Sequence, residues 1–233
     1  LPTATQYSRN AIFAGMMPSD IEKRFPKLWV NDEDDEGKNM HEEEFIADQL
    51  QRLGKQYKFS YNKITKFEAG KELADNVTNL FQNRFNVIVY NFVDMLSHAR
   101  TDMQVIRELA DDESAYRSLT LSWFEHSPLL EILRKIASRK VKVVISTDHG
   151  TIRVKEPSKL VGDRNTNTNL RYKQGKSLTY EKRDVFEVKN PLDAMLPRTN
   201  LSTTFVFAKQ DRFFAYPNNY NHYVKFYRNT FQH

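Results

Sequence analysis

Apolar residues recur along the chain with two periods, and the alternation between them lays out the elements. Over residues 6–17, Ala11, Ile12, Ala14, Gly15 and Met16 follow the turn Pro2-Thr3-Ala4-Thr5 and predict a short helix beginning at Thr5. A second helix is expected over 18–25, capped by Ser19, with Asp20 and Glu22 in the first turn where the helix dipole favours carboxylates. After the polar run 31–37, Phe45, Ile46, Leu50 and Leu53 share one face of a helix over 42–53, and another helix is expected over 72–85. The next run, Asn86-Val87-Ile88-Val89-Tyr90-Asn91-Phe92-Val93, is nearly continuous in apolar residues, the texture of a parallel strand buried on both faces. A long helix over 118–139 then leads into a second such run, Val141-Lys142-Val143-Val144-Ile145-Ser146. Helix followed by buried strand is an α/β pattern. Beyond Gly150 the texture changes: residues 155–182 read as a long polar loop, and 203–208 with 212–216, joined through Gln210-Asp211, read as a hairpin covering a sheet edge. No repeat or compositional break marks a domain boundary.

Composition changes this picture mainly by exclusion. The chain has no cysteine, so disulfides, thiolate metal sites and cysteine nucleophiles are out, and a metal must be held by His, Asp, Glu or hydroxyl oxygens. No window reaches the roughly 18 consecutive apolar residues of a membrane span. Without cysteine and without an apolar leader, the chain reads as cytoplasmic with no membrane insertion, and its start at Leu1-Pro2-Thr3 reads as a fragment of something longer. The 35 Lys and Arg against 30 Asp and Glu give +5, which suits a polyanionic partner. These cations are scattered, however, where a plain nucleic-acid binder would need a basic stripe.

The two apolar runs matter because ligands of an open α/β sheet collect at the carboxyl ends of its strands. The first run leads into Asp94-Met95-Leu96-Ser97-His98. An Asp and a His four residues apart project from one face of a helical turn, so one cation can take both. The second run leads into Thr147-Asp148-His149-Gly150, where glycine permits the sharp turn that an adjacent Asp and His need to reach one point. Either pair alone reads equally well as ordinary core or surface residues; the case rests on both runs ending alike. A third element, Thr3-Ala4-Thr5-Gln6-Tyr7-Ser8-Arg9-Asn10, offers a hydroxyl at a helix amino terminus, where backbone N–H groups favour a phosphate, with a cation one turn later at Arg9. A simple threonine cap fits the same spacing. The acidic run touches the calcium-loop template at Asp32, Asp34, Glu36, Gly37 and Glu43, but with Glu where that loop wants Asp or Asn, so a solvated loop is the simpler reading.

Taken in order, Thr3 to Ala11, Asn91 to His98, Ser146 to Gly150 and a final His resemble the alkaline phosphatase superfamily and, within it, the PglZ domain. The wording is similar to the effector domain of a type IX secretion response regulator. The resemblance runs from Thr3 to His233. It implies an alkaline phosphatase-like α/β core with a mostly parallel central sheet flanked by helices, with helical and loop insertions. It also implies one domain over 1–233, truncated at both ends and preceded by a receiver domain. Thr5 would be the nucleophile, with Thr3 as the alternative and Arg9 as a catalytic cation beside it. Two zinc ions are implied, the first held by Asp94, His98 and His233, the second by Asp148, His149 and the Thr5 oxygen, with a further Asp ligand lying upstream. Arg164, Arg171 and His222 would contact substrate, or serve only loop solubility, structural pairing and surface. The implied activity is phosphodiester hydrolysis of cyclic or short linear oligonucleotides as the output of a two-component system. Secretion-system or sensor-kinase proteins are the implied partners, and a homodimer is among the assemblies expected. The alternative is a non-catalytic regulatory module of the same fold that binds a partner protein or nucleotide; retention of the whole residue set favours catalysis.

Overall fold

The computed structural model describes residues 1–32, 37–92, 95–96, 99, 103–163 and 166–233. In chain order its elements are α1 (Thr5–Ala14), α2 (Pro18–Arg24), α3 (Glu42–Arg52), β1 (Phe59–Ile64), α4 (Phe67–Asp75), β2 (Phe85–Tyr90), α5 (Gln104–Leu109), α6 (Glu113–Glu125), α7 (Pro128–Ala137), β3 (Ile152–Arg153), β4 (Glu156–Val161), β5 (Tyr172–Gly175), β6 (Thr179–Tyr180), β7 (Val185–Val188), β8 (Thr204–Ala208), β9 (Arg212–Ala215), α8 (Tyr220–Tyr227) and β10 (Phe231–Gln232). They form two compact units, 1–54 together with 147–233, and 55–146.

In the first unit α1 begins at Thr5, where the pattern put it, and ends on Gly15, whose φ of 58° is the left-handed conformation that closes a helix. The missing Cβ of Gly15 also leaves room for the Gln49 side chain of α3. α2 opens with Pro18 behind Met17 at the cap, so Ser19 lies inside the helix instead of capping it; proline loses nothing at a first position whose N–H has no helical partner. Tyr7, Ile21 and Phe45 from these helices are buried with Tyr172, Leu196 and Phe205. The sheet side of this core is antiparallel, in the order β5-β8-β7. A second sheet sets β4 antiparallel to β6 and parallel to β9. β3 and β10 pair in a short antiparallel ladder, Gln232 opposite Ile152 and Phe231 opposite Arg153.

Two expectations fail here for one reason: local pattern does not name a strand's partner. The expected hairpin is a crossover, since a turn closed by Arg212 N–H on the Lys209 carbonyl at 3.1 Å passes the chain from β8 to β9, which pair in different sheets. The expected polar loop contains β4, β5 and β6; in β4 only alternate positions, Ser158 and Leu160, are buried, a period-two pattern too short to see in isolation.

In the second unit β1 and β2 pair in parallel, from Phe59 opposite Phe85 to Ile64 opposite Tyr90. Ala74 and Ile132 from α4 and α7 pack with Val77 and Leu80 of an intervening 3₁₀ turn. The helix expected over 118–139 is two, because Ser127 accepts the Leu130 amide at 3.3 Å as a cap and Pro128 opens a fresh helix. The first apolar run supplies β2, half-buried where double burial was expected, because among the described residues this sheet has two strands. The second run forms no strand: Val144 and Ile145 are 89% and 79% exposed. An apolar run becomes a buried strand only where a neighbour takes up its backbone N–H and C=O groups. The α/β class therefore stands, but pairing is parallel only for β1-β2 and β4-β9 among the described residues. No helix among them is long and apolar enough to cross a membrane.

Candidate functional site

The N-cap of α1 is Ala4, in extended conformation, whose carbonyl accepts the amides of Tyr7 and Ser8 at 3.0 and 3.1 Å. The cap therefore has no side-chain oxygen, and Thr5 is the first helical residue, half-buried. One turn on, the buried Arg9 donates from Nε to Asp148 Oδ2 at 2.9 Å and holds a terminal nitrogen 3.6 Å from Glu42 Oε1. Glu42, at the head of α3, is almost wholly inaccessible. One guanidinium thus stands between two carboxylates from separate elements, the pairing that makes charge burial tolerable.

Asp148 and His149 lie in the short segment before β3. Thr147 Oγ1 donates to the His149 carbonyl at 2.7 Å, and His149 Nδ1 lies 3.2 Å from the Gly150 carbonyl oxygen. Because a carbonyl only accepts, this contact puts a proton on Nδ1, so the tautomer it selects for the neutral ring is the one with its lone pair on Nε2. That nitrogen stands 4.0 Å from Asp148 Oδ1. The β3-β10 ladder brings the carboxy-terminal residue alongside, so that the His233 ring stacks on His149 at 3.9 Å and 11°. Stacked rings keep their in-plane lone pairs in two near-parallel planes, a geometry better suited to ligands of neighbouring ions than to two ligands of one. The donors, two imidazoles and a carboxylate, are those a borderline cation such as zinc accepts. No three His, Asp or Glu side chains among the described residues close round a single point; Asp94, His98 and Arg164 lie outside the described residues.

The other residues singled out in the sequence lie elsewhere. Arg171 donates to the Arg212 carbonyl, and burial lowers its basicity against the pull of Asp211. His222 is exposed on α8 with its ring parallel to Phe226 at 6.0 Å.

Sequence reasoning missed two carboxylates. Glu42 is only the first residue of the helix expected over 42–53, with nothing local to mark it. Asp32 looked like part of a solvated loop, yet both its oxygens accept the Tyr172 hydroxyl at 3.1 Å, Oδ1 also accepts Gln6 Nε2, and Oδ2 accepts Asn167 Nδ2 at 3.3 Å and lies 3.4 Å from the Tyr7 hydroxyl. Burial raises the Asp32 carboxyl above its ordinary value, opposed by the hydrogen bonds from Tyr172 and Gln6. Burial first, then the nearby Asp32 charge, pushes the Tyr7 and Tyr172 phenols up. With its oxygens enclosed in this way, Asp32 is no calcium-loop ligand; residues 33–36 lie outside the described set. Beside this cage the fully buried Lys173 donates to the Asn167 carbonyl at 2.6 Å and the Tyr216 hydroxyl at 3.1 Å, and burial pulls its ammonium down to about 7.

The family model for the BREX system PglZ alkaline phosphatase-like domain matches residues 1–233. A comparison with curated proteins finds no match. A domain of that description points to phosphoester hydrolysis with metal ions, for which the cluster at Asp148 has donors of the right kind. The chain belongs to the PglZ family of alkaline phosphatase-like domains.

Proposed function

We propose that this protein is a zinc-dependent phosphodiesterase with Thr5 as its nucleophile. The observation that carries the reading is the meeting of Asp148, His149 and His233, with Arg9 reaching them from the helix that Thr5 begins. On this reading His149 and Asp148 hold one ion with the Thr5 oxygen, and His233 holds the other with Asp94 and His98. Bound zinc would lower the pKa of the Thr5 hydroxyl and neutralise charge on the phosphoryl oxygens. Arg9, engaged by Asp148 and Glu42, orients the ligand carboxylate and keeps the buried site near neutrality, a role different from direct contact with substrate.

The chemistry at Thr5 is in-line displacement. Thr5 Oγ, its proton lost to solvent, attacks phosphorus; the bond to the leaving alcohol breaks, and that alkoxide takes up a proton. Water then cleaves the phosphothreonine, restoring the hydroxyl. Thr5 stands at the amino-terminal end of α1, where the helix dipole favours the added negative charge. The motif wording resembles the effector domain of PorX, the type IX secretion response regulator. That resemblance supports short or cyclic oligonucleotides as substrates, contacted by Arg164, Arg171 or His222, and secretion-system or sensor-kinase proteins as partners.

The test is elemental analysis together with hydrolysis of bis(p-nitrophenyl) phosphate by wild type and Thr5→Ala. About two zinc per chain, with hydrolysis abolished by Thr5→Ala, is the expected result for a two-metal site. Metal without hydrolysis, or full activity in Thr5→Ala, overturns the assignment and favours a binding module of the same fold.

A further inference from the structure

α1 presents Thr5 without the usual fastening. Its N-cap has no side-chain oxygen, and no acidic residue stands in its first turn to complement the dipole. A helix start of this kind frays unless something outside it holds the first residues. Asp32 is the hold nearest to Thr5 along the chain, beside those of Gln174 on Tyr7 and Asp148 on Arg9. Gln6, joined to Thr5 by one peptide bond, donates its side-chain amide to Asp32 Oδ1, and Tyr7 lies against Oδ2 at 3.4 Å. The carboxylate is itself fixed from β5 by the Tyr172 hydroxyl, at 3.1 Å from both oxygens, and from the preceding segment by Asn167 Nδ2 at 3.3 Å. Tyr7 is locked in turn: its hydroxyl donates to Gln174 Oε1 at 2.9 Å, and its ring is packed edge-on by Trp29, Tyr172 and Phe205 at 5.8, 6.0 and 6.0 Å.

We propose that Asp32 is a positioning residue for the Thr5 hydroxyl, tying the first turn of α1 to β5 so that the nucleophile is held in register with the Asp148 cluster. The inference rests on the phosphodiesterase reading. Its physical basis is that a displacement of about 1 Å at a reacting atom costs about a hundredfold in rate, whereas ground-state binding of substrate need not change.

The experiment measures kcat and KM for bis(p-nitrophenyl) phosphate with the zinc-supplemented protein. Wild type is compared with Asp32→Asn, Tyr172→Phe and Thr5→Ala, and amide hydrogen exchange is followed over Gln6 to Ser8 and over α3. Asp32→Asn is expected to lower kcat about 10- to 100-fold with KM within about twofold, while exchange quickens in the first turn of α1 and stays unchanged in α3. Tyr172→Phe, which removes only the hydroxyl donor, moves both readouts the same way by a few-fold and carries the test should Asp32→Asn fail to fold. If Thr5→Ala is inactive while Asp32→Asn keeps its kcat, the positioning role is overturned and the phosphodiesterase reading stands. If exchange quickens equally in α3, Asp32 is a general stabiliser and the proposal is likewise overturned. Activity remaining in Thr5→Ala instead overturns the underlying reading, which the exchange measurement does not depend on.

Discussion

Asp32 and Asp148 both hold α1, by opposite chemistries. Asp148 meets the helix through a charged donor: Arg9 takes one oxygen, and the other stands 4.0 Å from His149 Nε2. Asp32 meets it through a neutral donor, Gln6, with the Tyr7 hydroxyl 3.4 Å from Oδ2, and Tyr172 and Asn167 donate to the same carboxylate from outside the helix, so that both oxygens are engaged. The difference lies in remaining coordination capacity. A carboxylate held at one oxygen by a guanidinium still has lone pairs for a cation, whereas one enclosed by phenols and amides has become a structural tie. An aspartate in an acidic run is thus a poor guide to metal binding, and one beside a histidine is a better one.

The largest test of that contrast is Asp148→Ala. It is expected to remove about one zinc and to cut diesterase activity about a thousandfold, as losing several kcal/mol of transition-state stabilisation would. Asp32→Ala should leave the zinc content unchanged, and loss of zinc from that variant would break the comparison. A smaller effect is expected of Arg9→Met, which keeps the aliphatic stem and removes the charge. Zinc affinity in a chelator competition should fall about 10- to 100-fold, the usual cost of losing a ligand's supporting partner. A fall in kcat at unchanged zinc affinity would instead put Arg9 on the substrate.

The smallest effect belongs to Lys173, beside the Asp32 cage. The unfolded chain keeps this proton up to its ordinary value of 10.5, whereas the folded protein releases it near 7. Between those values the unfolded state binds more protons, so stability rises with pH, by at most about 1.4 kcal/mol per unit from this group. Lys173→Met should remove that slope, measured by urea unfolding at about pH 7 and about pH 9.

Local signals were legible in the sequence. The start of α1, a strand within the run from Asn86, which the structure forms over Phe85–Tyr90, and the adjacency of Asp148, His149 and Gly150 all follow from neighbours within a few residues. Pairings between distant segments were not. Nothing near Glu42 says that it faces Arg9, nothing near Gln232 says that it pairs with Ile152, and β8 and β9 look like a hairpin until their separate partners are known. Pro128 could have divided the long helix, since a proline behind a serine is a start signal wherever it falls. Of the two crossings between the units, Gly54-Lys55 has no such mark, whereas Ser146-Thr147 lies close to the change of texture at Gly150.

The run Val141-Lys142-Val143-Val144-Ile145, which forms no strand and is exposed at Val144 and Ile145, bears on how the purified chain behaves in bulk. It combines strong strand preference with a single charge and neither proline nor glycine, the make-up of segments that stack between molecules into cross-β assemblies. Lys142 is then its gatekeeper, and removing its charge is expected to lower the protein concentration at which copies assemble.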